Sequence, residues 1–101
     1  MNLKNKKFLL TGGTGFIGSI TAKEILKNGG KLIFTTTTYK KLKNFKSSLR
    51  PRLRSNCEGY VVDLNNENEI ENLINKIKKK YKYLNGIVNN AYGGSTGSIQ
   101  D

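Results

Sequence analysis

The sequence feature that most constrains the fold is a glycine-rich turn, Gly-x-x-Gly-x-x-Gly, within residues 11–18. The apolar run Lys7 to Thr11 precedes it and predicts a strand, and a stretch with helical spacing follows it as far as about Asn28. Such a turn between a strand and a helix is typical of a site for the pyrophosphate of a dinucleotide. The free N–H groups of the new helix would face the anion. The alternative is a plain tight turn, and the glycine spacing favours the dinucleotide.

Each glycine of the turn has a predicted role. Gly12 supplies the tight turn because it has no Cβ atom. Gly15 lets the pyrophosphate come close to the backbone, and Gly18 lets the helix pack closely on the strand. The three roles together predict that this turn is the centre of the binding site.

The rest of the chain alternates between strands and helices. The predicted strands are 7–11, 31–36, 59–62 and 86–89. The first predicted helix ends near Asn28, the second covers 39–49, and the third runs from about Asn66 to Lys80. A basic loop is predicted at 50–58. This alternation predicts an α/β fold with a parallel sheet and helices on both of its faces. The two glycines Gly29 and Gly30 predict the end of the first helix.

The length of 101 residues allows one small domain. A complete dinucleotide-binding fold has about six strands, so residues 1–101 are predicted to be the N-terminal part of a Rossmann domain, truncated after the fourth strand. A single cysteine, Cys57, and the lack of histidine leave no disulfide framework and no predicted metal site. The sequence has no apolar run long enough for a signal peptide or a membrane span, so we expect a cytoplasmic protein without a membrane partner.

The net charge of +11 allows a second interpretation, binding to nucleic acid. The excess consists mostly of lysines scattered over predicted helix faces, which is typical of solvated surfaces. Nucleic-acid binding is therefore the less favoured alternative.

Three landmarks, in this order, resemble the short-chain dehydrogenase/reductase family. They are the glycine turn, the segment 62–64 with Asp63, and the segment 89–91 after the fourth strand. The resemblance implies a strand order of 3-2-1-4. It also implies a longer parent enzyme that transfers a hydride between NAD(P)(H) and a carbonyl or alcohol of a small-molecule substrate. The parent is expected to form a homo-oligomer.

Two departures concern the branch of the family. The glycine spacing is that of the extended, nucleotide-sugar branch, whereas the segment 89–91 belongs to the classical branch, with Tyr92 in place of its usual glycine. This combination resembles members that act in the biosynthesis of surface sugars. A sugar-related compound is therefore one candidate, and the sequence leaves the substrate open.

The resemblance also implies residue roles. The backbone that would cradle the pyrophosphate belongs to Thr14, Gly15, Phe16 and Ile17. Asp63 would accept a hydrogen bond from the adenine amino group, with Leu64 under the ring, while Asn90 and Ala91 would line the ribose and the route to the nicotinamide. For Asp63 the alternative is a turn or helix-cap aspartate, and for Asn90 it is a polar strand end.

The choice of cofactor depends on the end of the second strand. NAD-binding proteins place an acid there, about 20 residues past the glycines, and Thr36 occupies this position. No acidic residue lies between Lys31 and Arg50, and Thr36, Thr37 and a nearby lysine would accept a 2′-phosphate. The sequence therefore predicts NADP as the preferred cofactor, with NAD as the second choice.

One match to the family pattern is predicted to be misleading. Tyr39 and Lys43 have the spacing of the catalytic Tyr-x-x-x-Lys pair, but they follow the second strand, at the adenosine end of the site. Tyr39 is expected to pack in an apolar stripe. We therefore expect no hydride transfer by this chain. We also expect association with another chain through the unpaired edge of the fourth strand. The remaining alternative is a complete, non-catalytic nucleotide-binding module.

Overall fold

A four-stranded parallel sheet is the centre of the computed structural model, which describes residues 2–12 and 16–89 and the side chains of residues 2–12 and 18–88. The strands are β1 (Lys7–Thr11), β2 (Lys31–Thr36), β3 (Cys57–Val61) and β4 (Gly86–Asn89), in the order β3-β2-β1-β4. The helices are α1 (Phe16–Lys27), α2 (Tyr39–Ser48), α3 (Pro51–Arg54) and α4 (Glu67–Lys80). The predicted α/β class and strand order are confirmed.

Hydrophobic cores cover both faces of the sheet. Leu10 and Phe34 pack with α1 and α2 on one face, and Leu9 and Ile33 pack with α4 on the other. Neighbouring residues separate in this way because successive side chains of a strand point to opposite faces. The β2 residues 32–36 are all buried, as expected of a strand covered on both sides.

Local signals in the sequence set the ends of two helices. Gly29 has a φ of +92°, and its N–H donates to the carbonyl of Leu26 at 3.1 Å, while the N–H of Gly30 donates to Ile25 at 2.9 Å. Both bonds satisfy carbonyls at the end of α1. The Asn66 side chain accepts hydrogen bonds from the first turn of α4 and caps that helix. Both predicted boundaries are confirmed.

The prediction of a basic loop at 50–58 is wrong. Pro51 opens α3, where its missing N–H costs no helical hydrogen bond. The Nε of Arg54 then donates to the carbonyls of Lys46 and Leu49, at 3.0 and 3.1 Å, so the short helix folds back on the end of α2. The third strand also begins earlier than Gly59, because residues 57 and 58 pair with β2.

Cys57 has a passive role in packing. Its side chain is buried, and it pairs in register with Leu32 of β2. Burial raises the pKa of the thiol to about 12, against a smaller opposing effect of Lys46. The thiol therefore stays protonated at neutral pH, and its contribution is to packing.

The expectation that Tyr39 packs in an apolar stripe is wrong. Its side chain is 64% exposed, and the buried contacts of α2 come from Phe45, with Leu49 directly after the helix. Residues 39–41 are exposed, and the core contacts of α2 begin only at Leu42, which is half-buried. Ile20 of α1 and Ile74 of α4 are also exposed.

Candidate functional site

The predicted site residues follow the carboxyl ends of the strands. All four strands run parallel, so these ends lie at one edge of the sheet, where ligands of open α/β folds bind. The predicted residues that fall within the described part of the chain are Gly12, Phe16, Ile17, Gly18, Thr36, Thr37, Asp63 and Leu64. Thr14, Gly15, Asn90 and Ala91 lie outside the described residues.

The glycine turn connects β1 to α1 within four residues. Gly12 has a φ of +68°, in the left-handed region that favours glycine. Its N–H donates to the Oγ1 of Thr35 at 3.0 Å. Gly18 is buried in α1. The start of the turn is thus anchored to β2, the neighbouring strand.

Thr35 is a site residue that the sequence analysis missed. Its side chain is 1% exposed, and its hydroxyl is the hydrogen-bond acceptor that holds Gly12 in place. A buried polar residue in an otherwise apolar strand is a signal of such a contact. The sequence alone does not name Gly12 as the partner of Thr35, because that contact depends on how β1 and β2 pair.

The start of α1 supplies a positive end at the same edge. The helix has 12 residues, and its first turn contains no acidic side chain. The unpaired N–H groups and the helix dipole therefore give a positive potential just after the glycine turn. This arrangement suits a phosphate group.

The threonines at the end of β2 differ in orientation. Thr36 is buried, and its hydroxyl donates to the Thr38 carbonyl at 2.8 Å. Thr37 is exposed, and its hydroxyl accepts a hydrogen bond from the Lys41 Nζ at 3.2 Å. Thr38 caps α2. The structure therefore brings Thr37 and Lys41 together on the surface and turns Thr36 inward.

Asp63 lies in the turn after β3. Its Oδ1 accepts a hydrogen bond from the N–H of Asn65, and its own N–H donates to the Glu69 Oε1, both at 2.9 Å. The carboxylate thus makes the turn contact that was considered as the alternative to adenine binding, while the residue remains exposed. Leu64 is half-buried and packs against the core that includes Ile33.

The Tyr39 and Lys43 pair forms a surface contact. The Lys43 Nζ lies 5.7 Å from the centroid of the Tyr39 ring.

In the part of the chain that the structure describes, no three acidic, cysteine or histidine side chains cluster as metal ligands, and no helix is long and apolar enough to cross a membrane.

Comparison with known proteins identifies the family. The family model for short chain dehydrogenases matches residues 6–101.

The chain belongs to the short-chain dehydrogenase family, whose members bind NAD(P).

Family members related to this chain include enzymes with different substrates. The chain is 32% identical over 91 residues to the 3-oxoacyl-[acyl-carrier-protein] reductase FabG of Buchnera aphidicola. This match covers 90% of this chain and 36% of that protein. It is 30% identical over 82 residues to a bifunctional UDP-glucose 4-epimerase and UDP-xylose 4-epimerase of Pisum sativum, covering 77% of this chain and 23% of that protein.

A related solved structure is that of ElxO with NADP bound. It has a TM-score of 0.73 and 35% identity, and the match covers 84% of this chain and 34% of that one. The short-chain dehydrogenase sequence described here thus spans about a third of the length of FabG and ElxO.

Proposed function

We propose that this chain binds NADP(H) as the dinucleotide-binding part of a short-chain dehydrogenase, with NAD(H) as the second choice. The observation that carries the proposal is the glycine turn, in which Gly12 is held on Thr35 directly before the positive end of α1. The turn lies at the edge of the sheet where this class of fold binds its ligands.

Different segments of the edge bind different parts of the dinucleotide in this proposal. The backbone of Thr14, Gly15, Phe16 and Ile17 binds the pyrophosphate, as the N–H groups of a helix start are suited to do. Beyond β3, Asp63 accepts from the adenine amino group and Leu64 lies beside the ring. Beyond β4, Asn90 and Ala91 line the ribose and the route to the nicotinamide.

The preference for NADP is supported by the charges near the end of β2. The Lys41 ammonium is held beside Thr37, and no acidic residue lies between Lys31 and Arg50. An acid there would repel a 2′-phosphate, whereas an ammonium attracts it. The related ElxO was solved with NADP bound. Because Thr36 is turned inward, we assign the 2′-phosphate contact to Thr37 and Lys41.

The bound dinucleotide supplies or accepts a hydride. We propose that the full-length protein transfers this hydride to or from a carbonyl or alcohol of a small molecule, with a sugar-related compound as one candidate because of the similarity to the epimerase. Tyr39 and Lys43 are given no catalytic role. A cytoplasmic location and a homo-oligomer remain predictions from the sequence.

The test of the proposed function is calorimetric titration with NADPH. The parent chain should bind, and Gly15→Val should reduce the affinity at least tenfold because the valine side chain fills the space that the pyrophosphate needs. Thr21→Val is the matched control, since it places the same side chain in α1 away from the turn.

Circular dichroism establishes that both variants keep the helical content of the parent. No binding by the folded parent would overturn the proposed function. Equal affinities of the parent and Gly15→Val would move the site away from the glycine turn.

A further inference from the structure

A second group of charged residues lies at the opposite edge of the sheet, where the strands begin. Lys7 opens β1 and Lys31 opens β2, and the two are paired in register. They precede Leu9 and Ile33 by two residues, so their side chains point to the face that α4 covers. Tyr81 follows α4 on the same face and belongs to that core.

Three ammonium groups surround the ring of Tyr81. The Nζ atoms of Lys7, Lys31 and Lys80 lie 5.9, 5.4 and 5.8 Å from its centroid. Lys7 also lies 4.3 Å from the centroid of Tyr83. The two strand lysines are half-buried, which brings their charges partly out of water.

One carboxylate faces this group. Glu58 forms an ion pair with Lys80 at 2.8 Å and accepts hydrogen bonds from the hydroxyls of Tyr60 and Tyr81. Burial by itself would raise the pKa of Glu58, but these hydrogen bonds and the Lys80 charge lower it to about 2. Burial and Glu58 also raise the pKa of both tyrosines, so the hydroxyls stay neutral.

The charges in this group do not balance. Glu58 offsets one of the three ammonium charges, and within residues 2–12 and 16–89 its contact with Lys80 is the only ion pair. Lys7 and Lys31 therefore both lie near the Tyr81 ring without a carboxylate partner among the described residues. A dianion bound by both ammonium groups would neutralise the two charges, and phosphate is a common biological dianion.

We propose that Lys7 and Lys31 bind a phosphate group, free or carried by a small molecule, at the edge of the sheet opposite the dinucleotide site. The site differs from the proposed cofactor site in position and in its donors. Side-chain ammonium groups form it, whereas the turn after β1 offers backbone N–H groups. Its occupation requires no dinucleotide.

The experiment titrates inorganic phosphate and, separately, glycerol 3-phosphate into the protein at constant ionic strength. Tyrosine fluorescence is the readout, because Tyr81 and Tyr83 are two of five tyrosines in a chain without tryptophan. Saturable binding is expected, with at least a tenfold loss of affinity in the double variant Lys7→Gln/Lys31→Gln. Stronger binding of one probe identifies the source of the phosphate.

Three further variants make the result decisive. Lys23→Gln/Lys27→Gln removes the same charge from exposed positions of α1 and should bind as the parent does. Lys7→Arg/Lys31→Arg keeps the charge and should keep binding. Gly15→Val should also keep it. A response no larger than that to sodium chloride, or a response lost in Gly15→Val and kept in Lys7→Gln/Lys31→Gln, would overturn the proposal.

Discussion

The hydroxyls of three consecutive threonines at the end of β2 make three different contacts. Thr35 accepts from Gly12, Thr36 donates to the backbone of Thr38, and Thr37 accepts from Lys41. The position that the sequence assigned to the ribose, Thr36, is buried, so an acid introduced there would lose hydration. Thr37 is therefore the residue at which cofactor choice should be tested.

We expect Thr37→Asp to shift the preference from NADP toward NAD. The new carboxylate would pair with Lys41 and repel a 2′-phosphate. The ratio of the two dissociation constants should change by about tenfold or more, which corresponds to about 1.4 kcal/mol. Isothermal titration with NADPH and NADH measures it.

The matched control for this change is Thr37→Asn, which has nearly the same shape without the charge. It should shift the ratio by much less than Thr37→Asp. If both variants keep the ratio of the parent, Thr37 does not face the 2′-phosphate, and the assignment of this corner is wrong.

Contacts between elements hold the outer strand β3 on the sheet. Glu58 of β3 accepts hydrogen bonds from Lys80, the last residue of α4, and from Tyr81, the residue directly after the helix. At the other end of α4, Glu69 accepts from the N–H of Asp63. The helix is thus connected to both ends of β3, and the turn that carries Asp63 is positioned by α4.

The substitution Glu58→Gln should lower the free energy of unfolding by about 1 kcal/mol at pH 7, the usual net contribution of a hydrogen bond to stability. Folding lowers the pKa of Glu58 from 4.5 to about 2, so its stabilisation is complete above pH 4.5 and is lost as the pH falls toward 2. The difference between parent and variant in urea unfolding should therefore shrink as the pH falls from 7 to about 3.

Glu71→Gln serves as the control because Glu71 is exposed on α4. This variant should unfold nearly as the parent does at each pH. A difference for Glu58→Gln that stays constant over the whole pH range would show that the carboxylate charge is not the source of the stabilisation.

At the scale of the whole molecule, positive charge is the dominant feature. The chain has 18 Lys and Arg against 7 Asp and Glu, with one ion pair within the described residues. Basic residues lie at both edges of the sheet, near Lys41 at the carboxyl ends of the strands and near Lys7 and Lys31 at their beginnings. Repulsion among these charges opposes the compact state.

Salt should therefore stabilise the protein. Raising sodium chloride from about 50 to about 500 mM screens the repulsion, and the free energy of unfolding in urea should rise by on the order of 1 kcal/mol. The double variant Lys23→Glu/Lys40→Glu, changed at exposed positions, should respond less because its net charge is lower by four. Stability that falls with salt would mean that attractive charge pairs dominate.

The features that the sequence predicted correctly depend on local interactions. The left-handed conformation of Gly12, the end of α1 at Gly29 and the cap of α4 at Asn66 each involve residues within one or two turns of chain. The apolar periodicity located the strands. These patterns were enough for the fold class and, through the family resemblance, for the strand order.

Only the tertiary structure decided how distant residues meet. Three features join segments far apart in the sequence. They are the contact between Gly12 and Thr35, the group of Lys7 and Lys31 near Tyr81, and the pairing of residues 57 and 58 with β2. Their partners depend on the register in which the strands pair and on where α4 crosses the sheet. Register follows from burial of the whole sheet, so no single segment of the sequence contains it.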